Sequence, residues 1–175
     1  PGDVLVLAGS LPAGLSADTY ETMLARLEGR GVQAVVDAAG PLLYKVLRYR
    51  PFLIKPNQQE LAQTVGRPLT TEAQIEQAAR ELQGRGARNV VVSRAGDGAL
   101  LLDENGTVSC VGAPRGTVVN SVGAGDSMLA GFVAGWLQSG SYRDALRLGT
   151  ACGSATAFCV GLAARSDIDR LLAQL

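Results

Sequence analysis

Apolar runs of strand length, each followed by a helical pattern and a short loop, constrain this chain more than any other feature. Val4-Leu5-Val6-Leu7-Ala8 ends in Gly9-Ser10-Leu11-Pro12, as a buried parallel strand feeding a loop does. Ser16-Ala17-Asp18 then predicts a helix that carries Leu24 and Leu27 and stops at Gly29 or Gly31. Val32 to Val36 reads as a second strand, with Asp37 at its carboxyl end and a short helix after it. Phe52-Leu53-Ile54-Lys55 reads as a third, closed by Pro56-Asn57, and Val90-Val91-Val92 as a fourth. Between them, helices are expected from about Gln58 and from Thr71 through Leu82, the latter opened by the capping-box spacing Thr71-x-x-Gln74. Gly98 to Leu102, the polar turn Asp103-Glu104-Asn105-Gly106 and Thr107 to Val111 predict a hairpin. From Gly123 onward only helical patterns remain. Alternation of this kind specifies a layered α/β fold with a mainly parallel sheet and an antiparallel edge.

Composition narrows the function. The 175 residues, 47% hydrophobic and 18% charged, suit one well-buried domain with no linker, repeat or low-complexity stretch. Sixteen Lys plus Arg balance sixteen Asp plus Glu, and no basic block is interleaved with aromatics, so a nucleic-acid partner is not expected. Apolar runs are broken well before membrane-spanning length, so no membrane partner is expected either. The three cysteines, Cys110, Cys152 and Cys159, are an odd number without clustered spacing, which argues against a disulfide framework and fits a reducing cytoplasm. Histidine is absent, so any base this chain supplies must be a carboxylate, Lys, Tyr or Cys. A strand as apolar as residues 4–8 expects neighbours on both sides, yet only three residues precede it. The chain therefore reads as though it starts in the middle of a fold.

The sharpest local signal is Asn120-Ser121-Val122-Gly123-Ala124-Gly125-Asp126, running on through Ser127-Met128-Leu129-Ala130-Gly131-Phe132-Val133. Small residues let backbone N–H groups approach a ligand, and a helix opened by such a loop offers unpaired N–H groups and a favourable dipole to phosphate. This is neither a Walker A loop, since no Gly-Lys-Ser/Thr follows, nor the dinucleotide fingerprint, whose third glycine would be spaced differently. Asp126 falls in the first helical turn. It can be read as a cap that compensates the dipole or as a proton acceptor beside a phosphate, and the second explains why an acid sits next to an anion site.

Here the sequence resembles a known family. Asn120 to Val133 is similar, position by position, to the C-terminal signature of the PfkB, or ribokinase-like, carbohydrate kinases. Ala8-Gly9-Ser10-Leu11-Pro12-Ala13-Gly14 and Lys55-Pro56-Asn57-Gln58-Gln59-Glu60-Leu61 resemble segments of the branch containing 1-phosphofructokinase and tagatose-6-phosphate kinase. Val92-Ser93 through Gly98-Ala99 resembles its nucleotide loop, and Arg147 to Ala157 its small-residue helix beside the adenine.

The resemblance implies a three-layer α/β/α sandwich with a mainly parallel sheet, of which residues 1–175 would be the C-terminal, nucleotide-binding part of a single kinase domain. The N-terminal strands and the lid would be missing. It implies ATP and Mg²⁺ as cofactors and a sugar phosphate as the other partner, with a homodimeric parent. The implied reaction is ATP-dependent phosphorylation of a ketohexose phosphate. Fructose 1-phosphate to fructose 1,6-bisphosphate is favoured over tagatose-6-phosphate kinase or another sugar kinase, and a non-catalytic nucleotide-binding fragment is the other alternative. The 175 residues alone are expected to be inactive.

Residue by residue, Asp126 would be the base, and the N–H groups of Gly123, Ala124 and Gly125 the anion hole. Asn57 and Glu60 would organise Mg²⁺ through waters, with Lys55 near the ATP phosphates. Without the family, Asn57 and Glu60 read as a helix cap and a solvated carboxylate. Ser93, Arg94, Ala95, Gly96, Asp97 and Gly98 would line the ATP site, although a bare turn explains Arg94 and Asp97 as well. Two positions depart from the pattern. Ala95 stands where the family has glycine, with Gly96 expected to supply the flexibility. Asp37-Ala38-Ala39-Gly40 stands in place of Asp-x-Ser-Gly, which leaves Asp37 out of the candidate site. For Gly149 to Ala157, tight helix packing and an adenine platform are both open.

Overall fold

The computed structural model describes residues 2–175. Six strands form one mixed, mostly parallel sheet in the order β1 (Val4–Ala8), β2 (Gln33–Asp37), β3 (Leu53–Ile54), β4 (Asn89–Ser93), β5 (Ala99–Leu102), β6 (Val108–Val111). β1 to β4 pair in parallel, in registers such as Val6 with Val35, Val36 with Ile54 and Ile54 with Val90. Parallel neighbours need crossovers, and helices supply them: α1 (Thr19–Leu27), α2 (Gly40–Leu47), then α3 (Gln58–Val65) and α4 (Glu72–Gly84) in succession. Three helices follow the hairpin: α5 (Ala124–Ser139), α6 (Tyr142–Ala157) and α7 (Arg165–Leu172).

The chain groups into two compact units, residues 1–92 with 102–108 and residues 93–101 with 109–175. In the first, the apolar centres of the middle strands are fully buried: Val35, Val36, Leu53, Ile54 and Val90 are all at 0% exposure. Hydrophobic faces of the helices cover them, led by Leu24, Leu43, Leu61 and Leu82. Asn89, also at 0%, gives its Nδ2–H to Phe52 O (2.7 Å) and takes the Glu104 N–H on Oδ1 (2.9 Å), so this buried amide is satisfied on both sides. In the second unit α5 and α6 lie unusually close, as described below. Ala151 and Ala155 of α6 and Leu171 of α7 form a further core cluster with Phe158 and Ile168 packed on it.

β1 pairs with β2 and lies at the sheet edge with Val6 47% exposed, so the second neighbour that its apolar run calls for is not supplied by the described residues. One expectation changes: β3 is shorter than the apolar run predicts. Pro51 and Pro56 bracket it, neither can donate a ladder hydrogen bond, and Lys55 is left one residue past the strand's carboxyl end.

Candidate active site

The candidate residues fall into two groups, one in each unit.

In the first unit they lie past the carboxyl ends of parallel strands, where open α/β sheets place ligands. Lys55 Nζ is 3.0 Å from Asp37 Oδ2, with the lysine side chain only 5% exposed. The sequence reading set Asp37 aside, yet it is the ion-pair partner of a candidate site residue. The signal was available: an acid at the end of β2 and a lysine at the end of the next strand in register. Any phosphate drawing on the Lys55 ammonium would compete with this carboxylate. Asn57 and Glu60 open α3 as a complete capping box. Asn57 Oδ1 accepts the Glu60 N–H and Glu60 Oε2 accepts the Asn57 N–H, both at 2.8 Å. The cap reading left open by the sequence is therefore realised in the structure.

In the second unit the turn at Gly123 opens α5. Gly123 is the N-cap in a left-handed conformation (φ 79°), which brings no side chain to cap the helix. The Ala124 N–H turns back to Ser121 O (3.2 Å) and the Ser127 N–H to Gly123 O (2.9 Å). Those of Gly125 and Asp126 meet no protein acceptor among the described residues. Of the three N–H groups expected to form the anion hole, Ala124's is thus partly spent inside the turn, while Gly125's is available together with that of Asp126. Asp126 itself is exposed on this first turn.

The loop before the turn is fastened to the end of α6. Val119 and Asn120 both donate N–H to Ala157 O (2.8 and 3.1 Å), and Asn120 Oδ1 accepts the Val122 N–H (3.0 Å). Thr156, 2% exposed, donates its hydroxyl to Ser127 Oγ (2.9 Å), one residue beyond Asp126. Sequence reasoning missed this tie, because Thr156 is hidden in a run of small residues.

Those small residues pack. A Cβ on Gly149 would lie 2.8 Å from Met128 O, and one on Gly153 would lie 3.0 Å from Ala124 O, in the first turn of α5. Helix packing therefore accounts for Gly149 and Gly153. Cys152 is buried at the same contact, and burial pushes its thiol pKa up, as suits a spectator.

Ser93 ends β4, Arg94 follows, and Ala95–Asp97 form one 3-10 turn closed by the Arg94 N–H to Gly98 O bond (2.8 Å). Gly98 (φ 83°) is required there, since a Cβ would come within 2.0 Å of Val111 O. Gly96, however, does not supply the left-handed residue. Ala95 adopts φ 48° itself, at the position where the family has glycine. Ala95→Gly is therefore expected to stabilise the chain by about 0.5–1 kcal/mol, because relief of roughly 1–2 kcal/mol of left-handed strain exceeds the added unfolded-state entropy. Denaturant unfolding would read this out, and a destabilised variant would refute it.

These residues suit a polyphosphate: α5 presents N–H groups that lack a protein acceptor, at the positive end of a sixteen-residue helix. Among the described residues no group of three or more His, Cys, Asp or Glu side chains could hold a metal ion. Mg²⁺ is commonly held by one or two carboxylates plus substrate phosphates, a role for which Glu60 and Asn57 are the candidates.

The fold is that of a ribokinase-like α/β protein. Phosphofructokinase-2 of Escherichia coli, solved with substrates and products, superposes on it with a TM-score of 0.91 at 32% identity, covering 98% of this chain and 57% of that one. Residues 1–169 match the pfkB family carbohydrate kinases, and the chain belongs to that family. It is 41% identical to a 1-phosphofructokinase of Bacillus subtilis, over 99% of this chain and 57% of the relative. It is 40% identical to a D-tagatose-1-phosphate kinase of Bacillus licheniformis, over 100% of this chain and 58% of the relative. The chain thus spans somewhat more than half the length of these proteins. The tagatose relative is named for the 1-phosphate, whereas the sequence motifs point to the branch containing tagatose-6-phosphate kinase.

Proposed function

We propose that residues 1–175 serve as the nucleotide-binding part of a single kinase domain that transfers the γ-phosphoryl group of ATP to a ketohexose phosphate. Fructose 1-phosphate is the proposed acceptor and fructose 1,6-bisphosphate the product. The reading rests chiefly on the turn at Gly123–Asp126, where N–H groups without a protein acceptor and an exposed carboxylate share the first turn of one helix.

In this reading the Gly123, Gly125 and Asp126 N–H groups hold the transferring phosphoryl oxygens, with a smaller share from Ala124. Donors fixed in advance toward developing charge are worth most in such a reaction. Asp126 takes the proton of the attacking hydroxyl. Lys55 contributes positive charge, held in place by Asp37, and the Ser93–Gly98 turn borders the nucleotide. Mg²⁺, when bound, neutralises charge on the phosphates, and Asn57 and Glu60 steady it through water. The reaction is placed in the cytoplasm, in line with an odd number of cysteines without clustered spacing in the sequence.

A second acceptor, a tagatose phosphate, is favoured by the near-equal identity to the two Bacillus relatives. Initial rates of the whole kinase domain that contains residues 1–175, with Mg-ATP and fructose 1-phosphate, fructose 6-phosphate, tagatose 1-phosphate and tagatose 6-phosphate, decide between them. Fructose 1-phosphate is expected to give the highest kcat/KM, a higher value for a tagatose phosphate reassigns the acceptor, and ATP binding with no turnover on any of them leaves a nucleotide-binding module. Glu60→Gln adds a metal arm to the same assay. The amide oxygen can still accept the Asn57 N–H, so the unfolding midpoint should hold while the Mg²⁺ needed for half-maximal rate rises severalfold. An unchanged Mg²⁺ requirement returns Glu60 to capping alone.

A further inference from the structure

At the amino-terminal ends of β3 and β4, away from Lys55, a cleft of about 490 Å³ is rimmed by Arg48, Arg50, Arg85 and Arg88, and Glu104 is its only acid. We infer that this cleft is an anion site for a soluble small metabolite carrying two or more phosphate groups.

The charge accounting comes first. The chain has a formal net charge of zero, yet it gathers four arginines around one opening. Two are already balanced. Arg88 bonds Glu104 (2.7 Å) and Gln33 (2.8 Å), and Arg48 pairs with Glu21 (2.6 Å) while lying over the Tyr49 ring. Arg50 and Arg85 have no ion pair among the described residues. Arg85 stacks 4.7 Å over the Tyr44 ring, and Glu81, the acid that senses it, is bonded to Arg67. Arg50 thus has no acidic partner among the described residues and Arg85 only the charge of a Glu81 already bonded to Arg67, so both guanidinium groups remain open to an anion in one cleft. Their planar donors match phosphate oxygens in pairs, and two such groups call for a ligand with more than one phosphate.

The backbone supplies the second argument. Arg50 follows the end of α2 at φ 51°, a left-handed position that helices normally give to glycine. Solvation alone gives no reason to hold an arginine there, whereas a ligand does. On the facing loop Gly86 sits at φ 133°, where a Cβ would lie 2.0 Å from Leu47 O. Only glycine allows this approach, and it presses the 84–88 loop, with Arg85 and Arg88, against the segment that carries Arg48 and Arg50. The cleft is thus built by two special backbone positions and has the roughly 300–1,000 Å³ typical of small-molecule sites.

The test is titration of the full chain with inorganic pyrophosphate, followed by calorimetry and backbone amide shifts, for wild type, Arg50→Gly and Arg85→Ala. The Gly84, Gly86 and Ala87 amides should move, pyrophosphate should bind more tightly than orthophosphate, and each variant should weaken it by about tenfold. Arg50→Gly has a second, opposite readout. Glycine relieves the left-handed strain, so Tm should rise while affinity falls, which separates lost binding from lost folding. Shifts confined to the Gly123–Asp126 turn, pyrophosphate binding no tighter than orthophosphate, or unchanged affinity in Arg50→Gly would each overturn the assignment.

Discussion

In the whole kinase domain of which residues 1–175 are the proposed nucleotide-binding part, Asp126→Asn is expected to lower kcat by about 10²–10⁴, the usual contribution of a general base, with little change in Mg-ATP affinity. The substitution is nearly isosteric and leaves the backbone N–H groups of Gly125 and Asp126 where they are, so the anion-binding turn should persist. What it removes is the one group on that turn able to accept a proton. The competing reading, a carboxylate that only compensates the α5 dipole, predicts a different pattern. Dipole compensation near an exposed helix end is worth about 0.3–1 kcal/mol, so the variant would lose a little stability and keep its rate. Single-turnover rates with a ketohexose phosphate, run beside a denaturant melt, separate the two. A kcat within about threefold of wild type would reduce Asp126 to a helix-end charge.

What the sequence made legible follows the range of the forces involved. The capping boxes at Thr71/Gln74 and Asn57/Glu60 depend on residues three apart, and the first was readable from its spacing alone. The strands were visible because buried parallel strands carry apolar runs, here Val35-Val36 in β2, Leu53-Ile54 in β3 and Val90-Val91-Val92 in β4. The Gly-Ala-Gly-Asp turn was legible because one short segment carries both its backbone freedom and its acid. What escaped was non-local. The Lys55–Asp37 pair joins two strands eighteen positions apart, and the Thr156–Ser127 bond joins two helices across twenty-nine. At Ala95 the local rule pointed to Gly96, yet the closing bonds of the turn put the left-handed residue one position earlier.

Gly131→Val is expected to cost about 3 kcal/mol of stability, the upper part of the usual range for overpacking, and to lower Tm by about 6–12 °C for a chain of this length. A Cβ at Gly131 would lie 2.6 Å from Cys152 Sγ, 2.9 Å from Cys152 Cβ and 3.0 Å from Gly149 Cα. The last of these is main chain, so no rotamer change can relieve it. Gly135 faces Ala145 Cα at 2.9 Å in the same manner, so the two helices touch by backbone along this stripe. Helix propensity points the other way, since valine is the better helix former by a few tenths of a kcal/mol, and any loss must therefore come from the contact. Ala130→Val is the control: it puts the same side chain on the exposed side of α5 and should change stability by less than about 0.5 kcal/mol. A wedge at position 131 also reaches the candidate site. Gly153 packs on Ala124 and Thr156 holds Ser127, so α5 cannot move off α6 without carrying the Gly123–Asp126 turn away from both ties. Mg-ATP affinity should therefore fall in Gly131→Val and stay unchanged in Ala130→Val when both are assayed below their melting ranges. Equal Tm values for the two variants would show that the close approach of α5 and α6 holds neither the helices nor the turn.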